Sequence, residues 1–437
     1  MKRLWATIRR CLRERRSRSE TASAILAELS LPAHWISSCC ISLALLYILE
    51  LWCCFLEKNA INQVVPGNAA EQGPLFFLLH DRTNTYYVRY PLGLSAVFLT
   101  AHILETVMLF MLFLAMRNVA SVRGSLTWPI LCGLIMAGAS LATPISLSPD
   151  LYAYVAYGKV GFPHAYAPAH GAFTGDFSII ARWWGWKGTP VVPCVYGPLW
   201  LLFAQTAPWF AKTLAGQIFF FRFTNVIALG MLFSAMSWYG VRKDVLALFI
   251  AGPTFYGLFV RDGHNDIWPL AFFVLAMRFF RTSMLASFLL SIASVLFKIS
   301  FIVLVPLACA DGTPKKRGAL FILAVICASI SLSWVLGNRP YLAAMLQHAP
   351  GAPPPMLSLT LSIVPIVSVI ETFFLERRSF GVTYSFIFLN FATIYYPWYM
   401  VWGIPYALPK ASYLAAFAIL FPIFNFIISP DFHAQIR

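Results

Sequence analysis

Charge is scarce in this chain. Asp, Glu, Lys and Arg make up 11% of its 437 residues, against roughly 25% in soluble domains, and mean hydropathy is +0.73. A soluble globular protein is thereby excluded. Acidic residues are scarcest: 17 Asp and Glu face 32 Lys and Arg. Cysteine offers no framework either. Cys39, Cys40, Cys53, Cys54, Cys132, Cys309 and Cys327 lie in or beside apolar runs, and no spacing supplies a histidine partner for zinc. They read as small apolar filler. No internal repeat is detectable. No cleavable leader is expected, because the first apolar run begins near Trp35 and is long enough to remain as an anchor.

The basic charge is concentrated. Residues 1–20 hold Lys2, Arg3, Arg9, Arg10, Arg13, Arg15, Arg16 and Arg18 against Glu14 and Glu20. Beside a bilayer such a run is a positive-inside signal with affinity for anionic lipid rather than for nucleic acid. The expected organisation is a basic cytoplasmic tail over 1–35 and a polytopic all-α domain over 36–430. Apolar windows near 36–56, 92–116 and 126–146 are long enough to span, and the basic Arg117–Arg123 connection is cytoplasmic. That places 57–91 and Asp150 outside the cytoplasm.

A polar island near 147–200 follows, within an outer loop over 147–216. Tyr196-Gly197-Pro198-Leu199-Trp200 opens an apolar run to about Leu214, and a clear span over 217–240 ends at Arg242-Lys243. If both segments crossed, this basic pair would lie outside. The charge bias therefore makes the Tyr-Gly-Pro segment juxtamembrane or re-entrant, with Lys212 at the outer interface. Beyond it, 244–260 leads out to Arg261–Asp266 and 267–281 returns. The run 283–309 reads as two half-spans meeting at Lys298. Segments 318–337, 356–375 and 380–396 follow, with an outer loop holding Arg339 and His348. The sum is about twelve or thirteen helices.

Titratable islands thus converge on one face: Asp150, Arg261–Asp266 and Arg339–His348, with Lys298. Polar groups held at membrane depth are costly and generally serve a site. Ser148-Pro149-Asp150 has a purely structural reading, an N-cap followed by Pro and a first-turn acid. That reading leaves the tyrosines unexplained. At about 100° per residue, Asp150, Tyr154 and Tyr157 share a helical face, which suits a polyol, with Asp150 as general base. Asp262, His264 and Asp266 offer a weakly specific metal set; a helix cap at Asn265 or Asp266, with Pro269 in the first turn, is the alternative. Arg261, Lys298 and Arg339 suit phosphate, although Lys298 could simply snorkel. His102 and Glu105, one turn apart, read as a buried pair. Trp183, Trp184, Trp186, Trp200, Trp398 and Trp402 fit an interfacial belt.

Taken in order, Ser148-x-Asp150-x-Tyr152-x-Tyr154-x-x-x-Gly158, His164-Ala165-Tyr166, Trp186, Tyr196-Gly197-Pro198-Leu199, Gly263-His264-Asn265-Asp266 and Trp398-Tyr399-x-x-Trp402-x-x-Pro405 resemble bacterial polyprenol-phosphate mannosyltransferases. The resemblance runs over about 145–410. It departs at His164-Ala165-Tyr166, where the family often has Asn-Pro-Tyr, and at Ile267-Trp268, where it has Ala-Leu.

The resemblance implies the C-type glycosyltransferase fold and an enzyme of the bacterial plasma membrane with an extracytoplasmic site. It implies a single-displacement, inverting transfer of a hexose, expected to be mannose, from a polyprenyl-phosphate donor to a lipid- or glycan-linked acceptor. Asp150 would accept the acceptor hydroxyl proton. Tyr154, Tyr157, His164, Tyr166, Tyr196, Arg261, His264, Asn265, Asp266, Lys298, Arg339, Trp398 and Tyr399 would contact substrate; no cofactor is assigned, and a divalent metal at Asp262, His264 and Asp266 stays the weaker alternative. A flippase or transporter would use the same intramembrane charges, but the missing repeats and the one-sided charge speak against it. A non-catalytic subunit of the same fold is a third reading, weakened by the presence of both Asp150 and Asp266.

Overall fold

The computed structural model describes residues 31–64, 92–119, 124–143, 150–166, 177, 193–309, 315–347 and 397–428. Residues 1–30 of the basic tail, most of the 57–91 loop, Trp183, Trp184, Trp186, His348 and the segments 356–375 and 380–396 lie outside them, as do Ser148 and Pro149. No strand occurs among the described residues. This is an all-α polytopic membrane protein. Trp35–Cys53, Val97–Arg117, Leu214–Tyr239 and Lys316–Gly337 are each long and apolar enough to cross a bilayer. A fifth candidate, Lys243–Ala251 with Pro253–Arg261, is bent by 52°, and four shorter apolar helices accompany them.

The first three helices are α1 (Trp35–Val64), α2 (Leu92–Val119) and α3 (Thr127–Ala142). Helix α4 (Asp150–Val160) opens on the acid that the sequence singles out. The Tyr-Gly-Pro segment forms two short pieces, α5 (Pro198–Ala204) and α6 (Ala207–Phe210). At about 1.5 Å per residue, neither can cross a membrane. Helix α7 (Leu214–Tyr239) starts at Thr213, whose side chain accepts from the Gly216 amide, and ends at Gly240 in a left-handed conformation. These are an ordinary N-cap and C-cap.

The next span is broken. Helix α8 (Lys243–Ala251) stops at Gly252, and α9 (Pro253–Tyr256) continues into a π-turn, Gly257–Arg261. Pro253 has no amide proton and biases the residue before it away from helix; Gly252 accordingly sits at φ −79°, ψ 110°. The buried Glu105 carboxylate accepts from the Thr254 amide and hydroxyl at the new helix start. His102 lies 3.4 Å from the same carboxylate, so the expected buried pair is present.

Helices α10 (Ile267–Phe279) and α11 (Met284–Phe297) follow. Lys298, extended at φ −150°, ψ 111°, separates α11 from a 3-10 segment, Ile299–Cys309. The run 283–309 is thus two pieces meeting at Lys298. Helix α12 (Lys315–Gln347) differs from expectation. The sequence suggests a loop after 337, yet the helix runs on through Arg339 and Pro340. Packing explains this: the buried Tyr341 ring meets Tyr166 at 4.9 Å, and Gly337 leaves room for the Tyr341 side chain one turn on. A second 3-10 segment, Pro397–Gly403, leads to α13 (Ile404–Ala407) and α14 (Ala411–Ile428).

Two buried apolar clusters result. The larger joins the spanning helices; the smaller joins α4, α5, the start of α7 and Tyr341. Leu199 and Trp268 pack against both.

Candidate active site

The π-turn ends in a tight loop, Asp262–Asp266. Gly263 has φ +73°, and a Cβ there would run into the Leu151 side chain of α4. Only glycine combines that backbone with that approach. The loop therefore sits directly on the first turn of α4, and His264 comes to Asp150. Nδ1 of His264 lies 3.1 Å from Oδ2 of Asp150. The imidazole is fully buried, whereas the Asp150 side chain keeps 21% of its surface exposed. The next amide, of Asn265, donates to the Tyr154 hydroxyl at 3.2 Å.

Helix α7 holds the same loop from the other side. The Arg222 guanidinium donates twice to the Arg261 carbonyl, at 2.8 Å and 2.5 Å, and once to the Thr143 carbonyl. One turn on, the Asn225 amide donates to the carbonyls of Phe259 and His264, at 2.7 Å and 3.2 Å, and its oxygen accepts from the Trp268 indole. Carbonyls left bare by an irregular helix end must be satisfied somewhere when buried. Here two polar side chains of a spanning helix do it.

Asp266 faces a different partner. Its Oδ1 accepts from Lys298 Nζ at 2.7 Å and from the Trp402 indole at 2.9 Å. The Lys298 ammonium also lies 4.4 Å from the Tyr399 ring centre, 5.4 Å from that of Trp402 and 6.0 Å from that of Tyr196. A cation over aromatic faces is held by their quadrupoles. The break at Lys298 is positioned by Gly197: its amide donates to the Phe297 carbonyl, and a Cβ there would overlap the Leu296 carbonyl. The Tyr-Gly-Pro segment thus packs backbone to backbone on the half-span junction.

The tyrosines of α4 form the wall behind the carboxylate. Tyr154 packs edge-on against Tyr196 at 5.2 Å and Trp200 at 4.7 Å. Burial, then the neighbouring Asp150 charge, pushes both phenols well above their ordinary range. They stay neutral and act as hydrogen-bond groups, not bases. Tyr157, also buried, approaches the Pro193 carbonyl at 3.5 Å.

The other expected residues are placed variously. Tyr166 is buried and donates to the Tyr196 carbonyl at 3.1 Å, while His164 is exposed. Arg261 is enclosed: Nη2 lies 3.1 Å from Asp262 and Nη1 3.6 Å from Glu50 of α1. Its guanidinium faces protein carboxylates. Arg339 is exposed on α12, and the Trp398 side chain lies outside the described residues. The alternative metal set does not form. Asp262 turns to Arg261, His264 to Asp150 and Asp266 to Lys298, and no group of three metal-binding side chains occurs among the described residues. A loop clamped from both sides, with a left-handed glycine at its centre, sends consecutive side chains apart.

Glu50, Arg222 and Asn225 were not singled out by sequence reasoning. The signal was present for two of them: Arg222 and Asn225 are polar residues three apart inside an apolar span, where such groups are expensive.

A family model described as alpha-(1->6)-mannopyranosyltransferase, N-terminal domain, matches residues 69–310, more than half of the chain. The match includes Asp150, the 261–266 loop and Lys298. No curated protein and no solved structure gives a match.

Proposed function

Because this chain belongs to the alpha-(1->6)-mannopyranosyltransferase family and is a mannosyl-transferring glycosyltransferase, we propose that it moves mannose from a polyprenyl-phosphate donor to a glycan or lipid-linked acceptor. The reaction is a single displacement at the extracytoplasmic face. The acceptor hydroxyl oxygen attacks the anomeric carbon and its proton passes to Asp150. The bond from that carbon to the phosphate oxygen breaks, and polyprenyl phosphate leaves with the electron pair. An alpha product formed with inversion requires a beta-linked donor.

The observation that carries this reading is the Asp150 carboxylate. It is partly exposed in an otherwise buried cluster, where a proton acceptor can meet a substrate hydroxyl. Lys298 supplies positive charge where a phosphate would gain it. A phosphate leaving group needs little acid assistance, so one essential carboxylate suffices, unlike the two of most glycoside hydrolases. The helix-cap reading of Asp150 requires no tertiary partner, yet His264 is 114 residues away in sequence.

Asp150→Asn tests it. Transfer of radiolabelled mannose from polyprenyl phosphate by the purified protein should fall by about 10²–10⁴-fold, with expression and thermal unfolding near native. Full activity would transfer the role to Asp262 or Asp266.

A further inference from the structure

We infer that His264 is a positioning residue for the transfer, holding the Asp150 carboxylate in the one orientation from which it receives the acceptor proton. The inference rests on Asp150 being the base.

His264 is held through both backbone and side chain. Its amide donates to the Leu258 carbonyl at 3.2 Å and its carbonyl accepts from Asn225. Gly263 before it is left-handed, with Leu151 against the position of a Cβ. Asn265 after it is bound by Tyr154. The spanning helix α7 and the site helix α4 therefore fix the backbone from opposite sides, and the ring has no exposed surface.

Asp150, by contrast, opens a helix and is partly exposed. A carboxylate at the first helical position has several rotamers available. The contact at 3.1 Å from His264 Nδ1 to Oδ2 selects one. An ionised carboxylate has no proton to give, so in this contact Nδ1 of His264 carries the proton and donates it. The buried histidine thus acts as an anchored donor and orients the partly exposed base. Misplacement of a reacting group by about 1 Å costs on the order of 10²-fold, so such an anchor matters.

The two amide side chains discriminate this role. An asparagine amide nitrogen sits near the place of Nδ1, a glutamine amide nitrogen near that of Nε2. Purified His264→Asn, His264→Gln and Asp150→Asn proteins would be assayed with radiolabelled polyprenyl-phosphate mannose, with thermal unfolding measured on each. His264→Gln should lower kcat about 100-fold while the donor KM changes by less than about threefold. His264→Asn should keep kcat within about tenfold of native, since the donor to Oδ2 is restored.

Equal loss in the two variants, or a rise in KM alone, would overturn the inference, because either outcome makes His264 a structural or substrate-binding group. So would a His264→Asn protein that does not fold. Full transfer by Asp150→Asn would instead sink the reading of Asp150 as base. An inactive Asp150→Asn beside a fully active His264→Gln would sink this inference alone.

Discussion

Lys298 answers two demands at once. It compensates Asp266, which is 1% exposed, and it holds positive charge among Tyr196, Tyr399 and Trp402. Removing one partner of a buried pair leaves the other uncompensated, at about 3–5 kcal/mol. Lys298→Met alone would therefore confound stability with function. The double variant Lys298→Met, Asp266→Asn separates them. It should recover most of the thermal stability lost in the single variant. Its donor KM should remain raised about 10–100-fold, the equivalent of one hydrogen bond to a charged group. Native KM in the double variant would remove Lys298 from phosphate binding. Snorkelling was the competing reading of this residue, and periodicity could not choose between the two. The partner, Asp266, is 32 residues away, and only tertiary contact pairs them.

Among the elements, α7 contributes most that the sequence obscures. Its length, apolar character and end at Gly240 are readable from composition and capping. Its function as a clamp is not, because the carbonyls it satisfies belong to an irregular turn with no sequence signature. Arg222→Leu leaves the Arg261 and Thr143 carbonyls without this donor. Each buried unsatisfied group costs about 1–3 kcal/mol, so thermal unfolding in detergent should fall clearly, and transfer with it as the His264 loop loosens. Arg222→Lys, with a compact ammonium in place of the fork, should recover only part. Unchanged unfolding in Arg222→Leu would mean that the carbonyls find other partners. Helix α12 shows the opposite failure. The apolar window closing at 337 suggests a loop around Arg339, yet the helix continues to Gln347, with Tyr341 packed on Tyr166.

At the scale of the molecule, the topology proposed from charge bias rests on α5 and α6 staying at one surface. Their lengths, seven and four residues, agree with that. Lys212, exposed between α6 and α7 with its ammonium on the Pro208 carbonyl, then lies at the outer interface. Lys212→Cys in intact cells should react with a membrane-impermeant maleimide above the background of the native cysteines, while a cysteine placed at Lys243 should react only after permeabilisation. The reverse pattern would invert the proposed orientation.

Composition by itself determined the class of molecule. Residues at 11% charged cannot solvate a globular surface, and apolar runs near 20 residues have few uses outside a bilayer. Motif order pointed to the mannosyltransferase family, and the break at Lys298 was legible because a lysine midway along an apolar run needs an exit. What only the tertiary structure decided is which charges meet. Asp150 finds His264, Asp266 finds Lys298, and Arg261 is drawn to Glu50 and Asp262. Electrostatic pairing depends on distance in space, and in a helical bundle that distance is set by packing: by a left-handed Gly263 against Leu151, and by Gly197 against the end of α11.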